Sequence, residues 1–340
     1  MTYHTASAAP LRELPGSAVP YYLADGDGRA HLLLGQVGVT LAGSEETADR
    51  MSVMTAIGPA DRPIPMHFHE REHDYFFCVR GRIQVWADGV SRVLTPGDVA
   101  SVPPGALHAY QFLSHYSQFV GPIAPAGWDR FFDFTGTPYP GPAYPQVDPS
   151  PPPFDKFGAA EAKFGMKYVM DAPYTEADTG ADDVLPGEAT PYFLRAGEGP
   201  RYELFGLVSF QVLTGAESNG ALGITVTEGP RATGTPAHAH EHTHEAIFCL
   251  EGRLRLRADG EEHVLTRGDF FSVPAGVEHA CTLEGHLTRF LTMHGPAGPE
   301  RLHELAGVVS EQRIFPAAPT PVDADRLSAA CDELDIVLAG

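Results

Sequence analysis

Apolar and polar residues alternate along several short stretches of this chain. Residues 253–257, for example, read Arg-Leu-Arg-Leu-Arg. A period of two predicts a β-strand with one buried and one solvent-facing side, because successive side chains of a strand point to opposite faces. Asp88-Gly89 and Asp259-Gly260 are typical of hairpin turns. The pattern predicts many short strands, as in a β-sandwich or a small barrel.

Convincing helical periodicity is confined to the tails, at residues 324–338 and 299–305. The density of proline from Pro138 to Pro153 excludes a central strand there. The segment Phe154–Tyr174 follows, and the whole region is either a linker or a segment packed on a domain surface. Its aromatic residues favour packing.

One pattern occurs twice along the chain, displaced by a constant 171 positions. Leu14-Pro15-Gly16 matches Leu185-Pro186-Gly187, and Gly35 matches Gly206. The alignment runs without a gap from residue 14 to about residue 110, which predicts two copies of one domain. The expected division is a first domain at 1–145, a proline-rich connecting segment at 146–184, a second domain at 185–315 and a helical tail at 316–340.

The repeat carries histidines and one carboxylate at matching positions. In a strand, residues i and i+2 face the same side, so each His-x-His pair can point into one cavity. The carboxylate lies at an odd offset, so the chain must turn before it, and the last histidine follows a Pro-x-Gly turn. The two predicted metal sites are His67, His69, Asp74 and His108, and His238, His240, Glu245 and His279.

Three nitrogens and one oxygen suit manganese, iron, cobalt, nickel, copper or zinc. On an octahedral metal, four protein ligands leave two positions for substrate or O₂, so the sites are expected to be catalytic, with up to one divalent transition metal per domain. Asp74 is one methylene shorter than Glu245. It either binds the metal after a backbone adjustment or lies beyond it and acts only as a base, with Glu70, Glu72 and His73 as possible substitutes. Of the remaining histidines, His73, His242 and His244 flank the ligands and are not expected to bind metal in both copies. His115, His263, His286 and His294 are expected to be ordinary surface or hydrogen-bonded residues.

The overall composition excludes some classes of partner. The 340-residue chain has 23 basic and 44 acidic residues, a net charge of −21, which argues against nucleic acid and anionic membranes. No signal-peptide pattern is present, and no run approaches the roughly 18 apolar residues of a membrane span. A cytoplasmic location is therefore expected. Cys78 and Cys249 lie within apolar runs, as buried thiols do.

The spacing of the repeat matches the two sequence motifs of the cupin superfamily. The first is Gly, His-x-His, four residues, Glu, six residues, Gly, and the second is Gly, five residues, Pro-x-Gly, two residues, His. Gly268, Pro274, Gly276 and His279 fit the second motif. The chain therefore resembles a bicupin. This resemblance implies an all-β fold of two tandem double-stranded β-helix (jelly-roll) barrels, with short helices at the tails.

Further stretches resemble the bacterial bicupin quercetin 2,3-dioxygenases, which cleave flavonols with O₂. The resemblance implies a 3-His-1-Glu metal in each barrel, release of carbon monoxide, and a carboxylate (Glu245, and in the first copy Asp74) that accepts the proton of the flavonol 3-hydroxyl. The stretches that carry it are Pro20-Tyr21-Tyr22-Leu23, Ser114-His115-Tyr116, Phe131-Phe132, Thr137-Pro138-Tyr139 and Thr266-Arg267-Gly268-Asp269-Phe270.

Three alternatives to flavonol cleavage remain open at this point. They are a dioxygenase or oxidative cyclase acting on another aromatic or polyketide enol, a metal-dependent isomerase or decarboxylase, and a bicupin that only binds or stores. The expected partners are a small aromatic or enolic substrate and O₂. The sequence leaves open whether the chain forms a homodimer.

Overall fold

The computed structural model describes residues 13–145, 153–178 and 183–339. Strands dominate it, in agreement with the alternating pattern. Two short helices occur in the first half, α1 (Asp129–Thr135) and α2 (Phe154–Phe164). The strands of this half are β1 (Tyr21–Leu23), β2 (Arg29–Leu33), β3 (Gln36–Ala42), β4 (Ser52–Gly58), β5 (His67–His69), β6 (His73–Arg80), β7 (Ile83–Ala87), β8 (Val90–Leu94), β9 (Val99–Val102), β10 (His108–Phe112), β11 (Ser117–Ala124), β12 (Thr137–Pro138) and β13 (Met166–Tyr168).

The second half repeats this order of elements. Its helices are α3 (Gly215–Ser218), α4 (Leu302–Ala306), preceded by a 3₁₀ turn at Pro299–Arg301, and α5 (Ala324–Glu333). Its strands are β14 (Tyr192–Leu194), β15 (Arg201–Leu204), β16 (Leu207–Leu213), β17 (Gly223–Gly229), β18 (Gly234–His240), β19 (His244–Glu251), β20 (Arg253–Ala258), β21 (Glu261–Thr266), β22 (Phe270–Val273), β23 (His279–Leu283), β24 (Thr288–Gly295), β25 (Val308–Val309) and β26 (Ile336–Leu338).

Each barrel has one eight-stranded and one five-stranded antiparallel sheet. The larger sheets run β12-β2-β3-β4-β11-β6-β9-β14 and β1-β22-β19-β24-β17-β16-β15-β25. The smaller ones run β13-β5-β10-β7-β8 and β21-β20-β23-β18-β26. The chain is thus all-β with two jelly-roll barrels in tandem, as predicted.

The two halves exchange their first strands. Strand β1 of the first half pairs with β22 of the second, and β14 of the second half pairs with β9 of the first. Matching hydrogen bonds fix both exchanges: the amide of Asp25 donates to Asp269 Oδ1 (2.9 Å) and that of Ala196 to Asp98 Oδ1 (2.8 Å). Each large sheet therefore contains one strand from the other copy.

A shared core lies between the two large sheets. Side chains of β3 and β4, among them Val39 and Val53, join side chains of β16 and β17, among them Phe210 and Ile224, in a single buried cluster. Because both halves bury apolar surface in this cluster, their association contributes to the stability of each.

Three helices lie outside the predicted tails. The expectation that helices are confined to the tails was wrong for the four-residue helix α3, and for α1 and α2, which pack together through Trp128, Phe131 and Phe164. The segment around α2 is packed on the first barrel, as its aromatic residues indicated, and β13 pairs with the histidine strand β5. Helix α5 and strand β26 repeat this arrangement in the second half, where β26 pairs with β18. Residues 146–152 and 179–182 of the predicted connecting segment lie outside the described residues, and the predicted domain limits stay a prediction.

Among the described residues, no helix is long and apolar enough to cross a bilayer.

Candidate metal centres

The first centre forms where three strands of one barrel converge. His67 and His69 point to the same side of β5, and His108 begins β10 directly opposite His67. Asp74 comes from β6 in the facing sheet. All four side chains are buried, and one ligand atom from each lies within 4.8 Å of the others. The fold therefore brings together all four residues predicted for this site.

The second centre has the same construction. His238 and His240 lie on β18, His279 opposes His238 from β23, and Glu245 comes from β19. These four residues are again buried, with ligand atoms within 4.8 Å of one another. Each barrel thus contains one buried metal site made of three histidines and one carboxylate.

Backbone carbonyls orient two imidazoles in each centre. Nδ1 of His67 lies 2.9 Å from the Pro65 carbonyl, and Nδ1 of His108 lies 2.9 Å from that of Ala106. A carbonyl oxygen only accepts, so Nδ1 carries the proton and the Nε2 lone pair is free to bind a metal. The second centre repeats these contacts, with His238 on Pro236 (2.9 Å) and His279 on Val277 (3.0 Å).

The shorter aspartate reaches nearly the same place as the glutamate. Asp74 Oδ2 lies 3.2 Å from His108 Nε2 and 3.5 Å from His69 Nε2. Glu245 Oε2 lies 2.8 Å from His279 Nε2 and 3.0 Å from His240 Nε2. The first centre is therefore slightly more open, but its carboxylate points at the same nitrogens.

Burial and the imidazoles act in opposite directions on the carboxylates. Burial raises the pKa of Asp74, but His69 and His108 outweigh it and hold that pKa below its ordinary value. In the same way, His279 and His240 hold the pKa of Glu245 well below its usual range. Burial lowers the pKa of His69 to about 4. At neutral pH these groups are thus an anionic carboxylate and a neutral imidazole, which is the form that binds metal.

The cavity above the first centre is apolar and rich in aromatic rings. Its interior, measured out through its open mouth, has a volume of about 920 Å³. The Trp128 ring lies 4.0 Å from the His69 ring and stacks on Phe131 at 4.5 Å, so a flat wall stands beside the metal site. The aromatic lining comprises Tyr75, Phe76, Tyr110, Phe119, Trp128, Phe131, Phe132, Phe157 and Tyr168.

The cavity above the second centre is smaller and has more hydrogen-bonding side chains in its lining. It measures about 590 Å³ on the same basis, and four threonines, two further histidines and the buried carboxyl group of Glu300 line it. His294 is buried, with Nε2 3.9 Å from Glu245 Oε2, so the expectation of an ordinary surface or hydrogen-bonded histidine was wrong for this residue. His303 also lines the cavity, and the sequence patterns gave it no role. A comparison of the two copies could have revealed both residues, because His294 stands where the first copy has Ile123 and His303 stands where it has Phe132.

The histidines that follow the ligands have a structural role. His73 and His244 are 171 residues apart, and each is buried with Nε2 on a serine hydroxyl, Ser101 at 2.7 Å and Ser272 at 2.9 Å. Neither belongs to a metal site of the described residues. Exposed Glu70 pairs with Lys167, so it does not substitute for Asp74.

Glu72 is the one acidic neighbour of the ligands that is buried beside the first centre. Its Oε2 lies 3.9 Å from His69 Nδ1, and burial raises its pKa. The second copy has Thr243 at this position. A third acidic group, Glu241, His242 and Asp335, lies mostly exposed on the surface.

Comparisons with known proteins agree with this architecture. The cupin domain family model matches residues 53–115 and 225–292. Quercetin 2,3-dioxygenase from Bacillus subtilis (strain 168) is 28 % identical over 324 residues, covering 95 % of this chain and 96 % of that protein. Quercetin 2,3-dioxygenase from Aspergillus japonicus is 24 % identical over 258 residues, covering 66 % and 73 %.

A solved structure shares the fold at lower sequence identity. Oxalate decarboxylase from Bacillus subtilis superposes with a TM-score of 0.53 at 16 % identity, covering 81 % of this chain and 77 % of that one. At this identity the likeness concerns the fold alone. The chain thus contains two regions that match the cupin domain model, each built around one buried site of three histidines and one carboxylate.

Proposed function

We propose that this bicupin is a metal-dependent dioxygenase that cleaves a flavonol ring with O₂ and releases carbon monoxide, and that the first centre is where the substrate binds. The likeness to two quercetin 2,3-dioxygenases supports the reaction class. The observation that carries the assignment to the first centre is the cavity above it, which is apolar and walled by aromatic rings.

A flavonol is flat, aromatic and edged with hydroxyl groups. Trp128 and Phe131 offer it a stacked wall beside the metal site, and the rest of the lining is mostly apolar, as is usual for small-molecule sites. One polar pair interrupts this wall, because the Tyr110 hydroxyl donates to Gln36 Oε1 at 2.7 Å. Burial raises the pKa of Tyr110, so its phenol stays protonated at neutral pH. This pair gives the ligand hydroxyls a fixed hydrogen-bonding partner.

The residues of the first centre fit a divalent transition metal. His69 Nε2 and Asp74 Oδ1 are buried and have no hydrogen-bond partner among the described residues, which a metal ion would supply. His67, His69, Asp74 and His108 are the proposed ligands, and His238, His240, Glu245 and His279 the corresponding set in the second barrel. When bound, such a metal stabilises the oxyanion of an enolic ligand and provides open positions for ligand and O₂.

The carboxylate of Asp74 is the proposed proton acceptor. Its pKa lies below the ordinary value, so it is ionised at neutral pH. It takes the proton of the 3-hydroxyl, and the flat wall of Trp128 holds the ring beside it while the apolar lining excludes water. Glu245 occupies the matching position in the second barrel.

The test uses variants that disable one centre at a time. His69→Ala removes a ligand from the first centre, and His240→Ala is its matched control in the second. Each protein is incubated with quercetin without O₂, O₂ is admitted, and carbon monoxide and metal content are measured. Both variants should lose about one metal per chain, but only His69→Ala should lose carbon monoxide release.

Two results would contradict the proposal. Carbon monoxide release that survives His69→Ala and disappears in His240→Ala would move the reaction to the second centre. A metal-loaded wild-type protein that consumes O₂ with another aromatic or polyketide enol, and releases no carbon monoxide from quercetin, would replace the flavonol as substrate.

A further inference from the structure

One imidazole of the first centre lacks an acceptor for its outer nitrogen. His67 and His108 hold Nδ1 against backbone carbonyls at 2.9 Å. Nδ1 of His69 is instead buried and has no hydrogen-bond partner among the described residues. A neutral imidazole that binds a metal through Nε2 carries its proton on Nδ1. With metal bound, His69 therefore presents a buried N–H that needs an acceptor, and leaving such a donor unpaired is costly.

A carboxyl group with an unused oxygen lies beside that nitrogen. Glu72 is 5 % exposed, in the turn between β5 and β6, and its Oε2 lies 3.9 Å from His69 Nδ1. This oxygen is also buried and has no hydrogen-bond partner among the described residues. The other oxygen, Oε1, lies 3.4 Å from Arg71, whose side chain is mostly exposed, so this ion pair holds the carboxyl group weakly. A donor and an acceptor without partners are thus a short movement apart.

We propose that Glu72 is a positioning residue of the first centre, and that Nδ1–H of His69 donates to Glu72 Oε2 when the ring binds the metal. The distance must shorten by about 1 Å, which rotation of the glutamate side chain can supply. The hydrogen bond fixes the orientation of the ring and makes Nε2 a better donor to the metal. The inference concerns how tightly the first centre holds its metal and does not depend on flavonol cleavage.

The second copy has a different residue at this position. Thr243 stands where the first copy has Glu72. Nδ1 of His240 is likewise buried without a hydrogen-bond partner among the residues that the structure describes. A threonine hydroxyl carries no charge, and hydrogen bonds to a charged group are roughly twice as strong as neutral ones. Glu72 therefore gives the first centre a support that Thr243 cannot give the second.

The test measures cobalt affinity in protein with only the first centre intact. In a His240→Ala background, Co²⁺ is titrated against a competing chelator, and the visible absorption of the bound ion is recorded. Glu72→Thr, which introduces the residue of the second copy, should weaken Co²⁺ binding about 10- to 100-fold. At saturation it should also shift the absorption bands, because the bond between His69 and the metal changes.

Two further variants separate the hydrogen bond from the effect of charge. Glu72→Gln keeps an acceptor oxygen without the charge, so it should weaken Co²⁺ binding less than Glu72→Thr, and it tests the contact if the threonine variant does not fold. Glu70→Gln removes an exposed carboxylate of the same turn, which pairs with Lys167, and should leave affinity and spectrum unchanged. The melting temperature of each metal-free variant is measured as well, to detect a purely structural effect.

Three outcomes overturn the inference. The first is an unchanged cobalt affinity and spectrum in Glu72→Thr, which would leave the residue a structural role at most, whatever the melting temperature. The second is an equal loss of affinity in Glu70→Gln, or in Glu72→Gln and Glu72→Thr, which would reduce the effect to charge. The third is complete loss of cobalt from Glu72→Thr, which would make Glu72 itself a metal ligand.

Discussion

Because the halves exchange their first strands, a substitution in the first copy should weaken the second barrel. Leu23 lies on β1, is 1 % exposed and is paired with Phe270 of β22. Strand β22 in turn pairs with β19, which carries Glu245. Leu23→Ala therefore removes buried methyl groups from the sheet that supports the second metal site, although residue 23 belongs to the first copy.

The size of the effect follows from burial. Truncating a buried leucine to alanine costs about 2–5 kcal/mol, depending on how far the surroundings relax. If that cost appears as local opening of β22, the amide hydrogens there should exchange about 30-fold to several thousand-fold faster. Strand β9 of the first barrel should keep its wild-type rate.

Hydrogen–deuterium exchange followed by mass spectrometry can measure both strands in one experiment. The matched control is Leu194→Ala on β14, which is fully buried and pairs with Val99 of β9. Its effect should be the mirror image, with faster exchange in β9 and little change in β22. Faster exchange of β9 in Leu23→Ala, or equal acceleration of both strands, would refute the reasoning that the exchanged strand supports the opposite barrel.

Three further predictions concern the metal centres and their supports. In a His240→Ala background, Asp74→Asn should weaken metal binding at the first centre about 10- to 100-fold, the range known for loss of groups that support a metal site. Asp74→Glu should tighten metal binding in the same background. If Asp74→Asn keeps both its metal content and its reaction rate, the residue is neither ligand nor base. Removing the metal with a chelator should lower the free energy of unfolding by about 2.7 kcal/mol per site, relative to protein in which the free metal concentration is one hundred times the dissociation constant. Equal melting temperatures with and without metal would count against both sites. Burial lowers the pKa of His73 and His244 to about 4, below the ordinary 6.5. Because these histidines bind protons at higher pH in the unfolded chain than in the folded protein, the free energy of unfolding should fall as pH drops from about 6.5 towards 4. In denaturant titrations of metal-free protein, His73→Gln, which retains a donor for Ser101, should reduce that slope, and an unchanged slope would show that this histidine does not titrate on unfolding.

The ligand residues could be predicted because the metal imposes their spacing on the sequence. A strand places His67 and His69 on one face, and the second copy repeats the same offsets, so each copy supports the interpretation of the other. The four-residue clusters followed directly from this pattern. The strand exchange could not be predicted in this way, because the pairing of β1 with β22 leaves no local trace in the residues that pair.

Helix α2 and His294 were missed for different reasons. The residues Phe154, Phe157 and Phe164 have helical spacing, but the prolines before them indicated an irregular segment. The repeat gave no help either, because α5 of the second copy begins 170 residues after α2 instead of 171. His294 has an isoleucine in the first copy, so a search for matching residues passes over it. Shared positions revealed what the metal requires, whereas the ligand-facing residues are visible only where the copies differ.

The pairing of the histidine strands gives the two centres an order of completion during synthesis. Strand β5 is flanked by β13 and strand β18 by β26, so the first centre needs residues up to Tyr168 and the second needs residues up to Leu338. Strand β14, which closes the first large sheet, follows soon after β13, whereas β1, which closes the second, is made at the start. As a growing chain folds from its N-terminal end, the first barrel can take up its metal before the metal-binding strands of the second barrel have been made. The second barrel must wait for strand β26.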